Sequence, residues 1–313
     1  METINKLNLA KNIALSVSDL DDENYSLYYL ACYGLISKYG DTYLDLIEKL
    51  FQECLFFIEK KPLKELLHLS GNKHNVIPGE KACSFSGICA AIDNQLNLVI
   101  CEDNPIICVS TIDCTPNEKL IITTHEISHI FKSLINNIIR DTDKNTITIR
   151  RGLLLETFDA DDRDHNATYS NFVLDEIINV FQTADMMKSV CEIDKSLLDD
   201  NVRKFFDTLD LDNLIIPSGY GSITEELAPL WENEHFKNSF DYSVVEGDIE
   251  SIENDFNNIM GEDKFREFSL AIDFNFFNSG ISPKKIKSIR TIMSTVFNYN
   301  RKTLKKGTEK FKG

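Results

Sequence analysis

One segment constrains this chain more than any other. Thr115 can cap a helix, Pro116 occupies its first turn, and Glu118 stands three residues after the cap. Thr-x-x-Glu with proline at the first helical position is a capping box, so the spacing predicts a helix from 116 to about 137. Leu120, Ile121, Ile127, Ile130, Phe131 and Leu134 supply its apolar stripe. Inside it lies His125-Glu126-Ile127-Ser128-His129. Residues four apart share one helical face, one turn from each other. Two imidazoles so placed can meet on one ion beside the helix. Glu126 is turned by about 100° from His125, so it is set to act on a water there rather than to ligate. Chance gives about 0.01 such patterns in a chain of this composition.

The rest of the composition narrows the partners. The 313 residues carry a formal net charge of −17, from 50 acids and 33 bases. Phosphate must be met by lysine and arginine, so this balance argues against nucleic acid as a partner. The charge is uneven, since residues 281–313 hold ten bases and a single acid, Glu309. The first residues lack a basic stretch followed by an apolar run, and no uncharged apolar stretch is long enough to span a bilayer. These features predict a cytoplasmic chain with no membrane partner. Eight cysteines occur without any Cys-x-x-Cys, five of them between 83 and 114. That disfavours a zinc ribbon and favours free thiols. Nothing in the sequence speaks to oligomeric state.

Texture divides the chain into three parts. Residues 1–70 read as a helical region, with Tyr and Phe at core spacing, a stop at Gly40 and a break at Lys61-Pro62. Residues 71–193 form a central part. It has a β-hairpin over 89–101, a strand over 105–112, the capped helix, strands over 146–151 and 152–158, a polar loop over 159–170, and a second helix over about 171–190. Residues 194–313 read as mostly helical, broken at 217–221 and 279–283, with a second capping box at Ser222–Glu225 and the basic tail. The fold class is α+β.

The His-Glu-x-x-His segment, following a strand-rich stretch, resembles the zincin metallopeptidases. The resemblance covers about residues 75–190. It implies a small mixed sheet ahead of the motif helix and an edge strand lining a substrate cleft; the helical regions read at either end would be N- and C-terminal flanks to that core. It also implies Zn2+ held by His125 and His129, with Glu126 as general base. The metzincin branch would need Gly at 132 and His at 135, where this chain has Lys132 and Ile135. The pattern is closer to the gluzincins, in which a glutamate on a later helix completes the site. Glu176, among Leu174, Ile177, Ile178 and Phe181, is the leading candidate, because a carboxylate in apolar company needs a partner. Glu156, Asp159, Asp161, Asp162, Asp164 and His165 are its rivals.

The long separation of His129 from Glu176 is similar to that of gluzincins related to anthrax lethal factor. There a tyrosine about two turns before the third ligand assists the oxyanion. Tyr169 stands seven residues before Glu176 and could share its face, with Tyr220 as a weaker alternative. Arg150 and Arg151 are candidates to face substrate. The resemblance thus implies a zinc-dependent peptidase acting on a peptide or protein. The acidic loop 159–164 would favour substrates with basic side chains. The alternatives are a zincin-fold binding or regulatory module without turnover, and a helical interaction protein whose motif is accidental.

Overall fold

The structure is a computed structural model. It describes residues 2–17, 20–72, 74, 76, 79–92, 98–135, 137–159, 168–213, 231, 234–246, 249–260, 262, 263, 265, 266 and 269. In chain order the first elements are α1 (Thr3–Ser16), α2 (Asp22–Glu53), β1 (Leu55–Glu59), α3 (Leu63–Leu69), β2 (Ala82–Phe85), β3 (Ile88–Ile92), β4 (Leu98–Glu102), β5 (Ile106–Ser110) and α4 (Pro116–Leu134). Then come β6 (Asn137–Asp141), β7 (Thr146–Arg151), β8 (Leu154–Asp159), β9 (Thr168–Ser170), α5 (Phe172–Cys191), α6 (Asp200–Phe206), α7 (Glu234–Glu246) and α8 (Ile249–Met260). The fold is mixed α+β. No helix among the described residues is long and apolar enough to cross a membrane.

The chain forms two compact units that interleave in sequence. One comprises Met1–Cys89, Ile100–Leu134 and Gln182–Ile216; the other comprises Ala90–Val99, Ile135–Phe181 and Pro217–Gly313.

The first unit is built on α2. Asp21 caps it, accepting from the Asn24 amide at 2.7 Å, and Asp22 and Glu23 complement the helix dipole in the first turn. Gly40, expected to end the helix, does not. The helix runs on to Glu53, and only Tyr43 departs from helical backbone. The aromatic stripe is core as expected: Tyr39 stacks on Phe131 with ring centroids 4.9 Å apart, and Tyr28 meets Phe56 at 4.6 Å. The segment after α2 departs from the helical reading of residues 1–70. Leu55-Phe-Phe-Ile forms β1, which pairs parallel with β5 in the register Leu55↔Ile106. A four-residue apolar run has no period that separates strand from helix, and the tertiary partner decides it. Antiparallel β2 completes a three-stranded mixed sheet in the order β1-β5-β2.

The 89–101 segment does pair, as the two-stranded sheet β3-β4. In the second unit, β6 to β9 form an antiparallel sheet in chain order. Gly152 (φ 63°) and Leu153 make the two-residue turn between β7 and β8, a conformation that favours glycine in its first position. The strands at 146–151 and 152–158 were anticipated, whereas β6 and β9 were not. The motif helix therefore stops at Leu134 rather than near 137, since Asn137 already pairs with Arg150.

Candidate metal centre

The local sequence builds α4 as expected. Glu118 Oε2 accepts from the Thr115 amide at 2.8 Å, and the Glu118 amide donates to Thr115 Oγ1 at 3.2 Å. The Thr115 amide, and then burial opposing it, sets the Glu118 carboxyl below its ordinary range. Leu120, Ile121, Ile127, Ile130 and Phe131 are buried, which fixes the rotation of the helix in its unit. That rotation leaves His125 and His129 half-buried on one face and Glu126 buried beside them.

The two imidazoles converge. Their Nε2 atoms lie 3.1 Å apart and the ring planes are 83° from each other. Tetrahedral zinc with Zn–N bonds of about 2.0–2.1 Å would hold two nitrogens about 3.3 Å apart, so the spacing suits two corners of one coordination sphere. The Nδ1 of His125 faces Thr183 Oγ1 at 3.5 Å. With Nε2 turned to a metal, Nδ1 would carry the proton and donate to that hydroxyl, the usual way a ligating histidine is oriented.

Thr183 belongs to α5, and so does Glu176. They are seven residues apart on one unbroken helix, hence on one face. Residues 172–181 of α5 belong to the second unit and 182–191 to the first. Near its start, Asp175 Oδ1 accepts from the Leu153 amide at 2.9 Å, and Asn171 Nδ2 donates to the Leu153 carbonyl at 3.3 Å. Near its end, Asp185 receives Lys38 Nζ at 3.1 Å, and Gly34 of α2 lets Met186 approach. His125, His129 and Glu176 each offer one ligand atom, all within 4.8 Å of one another. The donor set, two imidazoles and a carboxylate, is one that zinc takes with a fourth position left open.

The other candidates fall elsewhere. Glu156 is buried and ion-paired, with its Oε2 2.8 Å from Arg151 Nη2. Arg150 is also buried, and its Nε donates to the Gly152 carbonyl at 2.8 Å while Nη2 donates to the Ser243 carbonyl. It braces the β7–β8 turn rather than facing a substrate. Asp159 is exposed at the end of β8. Asp161, Asp162, Asp164, His165, Tyr220, the Ser222–Glu225 box and the basic tail lie outside the described residues. Tyr169 sits on β9 opposite Glu156, before α5 begins at Phe172. Its seven-residue spacing from Glu176 therefore does not run along one helix, which corrects the expectation of a shared face.

Sequence reasoning missed Thr183. The signal that could have found it was its spacing of seven from Glu176 within one expected helix.

No family model matches the chain, and no curated protein or solved structure matches it either.

Proposed function

We propose that the chain is a zinc-dependent metallopeptidase of gluzincin type, with His125, His129 and Glu176 holding the metal and Glu126 as general base. The observation that carries this reading is the convergence of the two Nε2 atoms at 3.1 Å with a third ligand atom within 4.8 Å. Zinc bound there would act as a Lewis acid that acidifies a coordinated water and polarises a peptide carbonyl.

The chain supplies the rest. Glu126, one position after the first histidine, takes the proton of the attacking water and passes it to the departing amine. Burial restricts its rotamers. Thr183 orients His125. Tyr169, on the strand that precedes α5, keeps the proposed role of oxyanion donor. Among the described residues β2 is an edge strand of its sheet, and it packs on α4. An extended peptide can add to such an edge through backbone hydrogen bonds. The net charge of −17 favours substrates with basic side chains.

The test is metal content and turnover measured together. Purified wild type and Glu126→Gln should each hold one zinc per chain, whereas His129→Ala and Glu176→Ala should lose it. A peptide library should be cleaved by wild type and not by Glu126→Gln. Full zinc occupancy in Glu176→Ala would remove the third ligand from the proposal. Equal hydrolysis by Glu126→Gln would remove the mechanism. Zinc without any hydrolysis would favour the reading as a zincin-fold binding module.

A further inference from the structure

Two cysteines face each other across the first unit's sheet. Cys83 on β2 and Cys108 on β5 are direct antiparallel partners. The Ser110 amide donates to the Lys81 carbonyl at 2.7 Å, which makes Lys81 and Ser110 a hydrogen-bonded pair. Such pairs recur every second position, so Cys83 and Cys108 are one as well, with Cα atoms about 5.5 Å apart. Disulfides most often span about 5.5–6 Å between Cα atoms, which this pair meets, while its Cβ atoms, about 5.5 Å apart at a hydrogen-bonded pair, must close by about 1 Å. Both side chains point to the face covered by Leu63, Leu66 and Leu67 of α3. The two thiols are neighbours on that face, and the Cys108 thiol lies 3.7 Å from Ser70 Oγ. Cys108 is fully buried and Cys83 is partly exposed.

We propose that Cys83 and Cys108 form an oxidisable dithiol that hydroperoxides convert to an intramolecular disulfide, with Cys83 attacked first and Cys108 resolving. The inference is independent of the metal centre. The reacting form is the one in which a base has taken one of the two thiol protons. The neighbouring Cys83 thiol holds the Cys108 thiol below its ordinary range. The same contact, then burial and the charge of Glu126, push Cys83 up.

As the Cys83 sulfur attacks the terminal peroxide oxygen, its proton passes to the neighbouring Cys108 thiolate. The O–O bond breaks, the alkoxide or hydroxide leaves and takes a solvent proton, and Cys83 becomes a sulfenic acid. The Cys108 sulfur then attacks the Cys83 sulfur. The S–O bond breaks, and the departing hydroxide leaves as water with the Cys108 proton. Overall, two thiols and one hydroperoxide give one disulfide, one water and one alcohol, or two waters from hydrogen peroxide.

The test uses the full chain, reduced, exposed to hydrogen peroxide and then alkylated under denaturing conditions. No lysine or arginine lies between Lys81 and Lys119, so the linkage must be mapped by cleavage at Phe85, Asp93 and Asp103. The expected product is a peptide pair joined through Cys83 and Cys108, two hydrogens lighter and released by dithiothreitol. It should form at least ten times faster than oxidation of buried Cys32 or Cys54. Cys108→Ser should stop at a Cys83 sulfenic acid trapped by dimedone, and Cys83→Ser should leave Cys108 alkylatable. Recovery of Cys83 and Cys108 as thiols would overturn the proposal. So would linkage confined to the exposed Cys89 and Cys101, since that places the reactive pair on β3 and β4 instead.

Discussion

Arg151 and Glu156 close on each other across the β7–β8 hairpin, Nη2 to Oε2 at 2.8 Å, with the carboxylate side chain only 9% exposed. This pairing gives Glu156 a structural task and takes it out of contention as a metal ligand. Glu156→Gln leaves the Arg151 guanidinium in a largely buried place without its anionic partner, so it should cost about 1–3 kcal/mol in urea unfolding. Zinc stoichiometry should not change. Loss of zinc with unaltered stability would return Glu156 to the ligand set.

Gly34 tests the packing of α5 on α2. A Cβ there would lie 3.1 Å from Met186 Cβ and 3.3 Å from its carbonyl oxygen, and the latter cannot turn away cheaply. Overpacking costs about 1–3 kcal/mol, against a helix-propensity gain of about 1 kcal/mol for alanine. Gly34→Ala should therefore be mildly destabilising and Gly34→Leu much more so, read as successive falls in Tm.

The capping box carries a pH signature. The folded-state pKa of Glu118 is depressed, so its contribution is present above the unfolded glutamate value of about 4.3 and is lost as pH falls through the lower folded value. Comparing unfolding at pH 7 and pH 3, wild type should lose an increment that Glu118→Gln does not. Thr115→Ala should cost about 1 kcal/mol at neutral pH.

Thr183 offers a test of the metal centre that does not depend on turnover. Its hydroxyl stands 3.5 Å from His125 Nδ1. Thr183→Val keeps the shape and removes the acceptor, so zinc affinity measured against a competing chelator should fall about 10-fold or more. Thr183→Ser should recover most of it. Tyr169→Phe should retain zinc and lower kcat with little change in KM; unchanged kcat would dismiss the tyrosine.

Different physical information explains why α4 was legible and the parts around it less so. Its cap, first-turn proline and apolar stripe are all local, so Thr115, Pro116 and Glu118 announce it without help. Asp175 and Glu176 are harder. They are adjacent acids with opposite fates, one accepting from the Leu153 amide and the other turned toward the histidines. Helix phase decides between them, and phase follows from where α5 begins. That start at Phe172 depends on β9, a three-residue strand whose existence rests on pairing with β8. Tyr169 shows the same limit, since nothing local in Thr-Tyr-Ser separates a strand from the loop expected over 159–170. β1 shows the complementary case. Its run was visibly apolar, but its partner β5 begins some fifty residues later.

The cap on α4 also works as a ruler. Glu118 is fixed to Thr115, and His125 follows seven residues on, two turns further along a rod whose face is set at its first turn. Between them Leu120, Ile121, Thr123 and Thr124 are buried and hold that rotation, so only the partly exposed Lys119 and Ile122 can be exchanged for other good helix formers without moving the histidines. Adding or deleting one residue would swing both by about 100° and aim them away from Glu176. Residues 119–124 should therefore accept substitutions that keep the buried face, but no change of length.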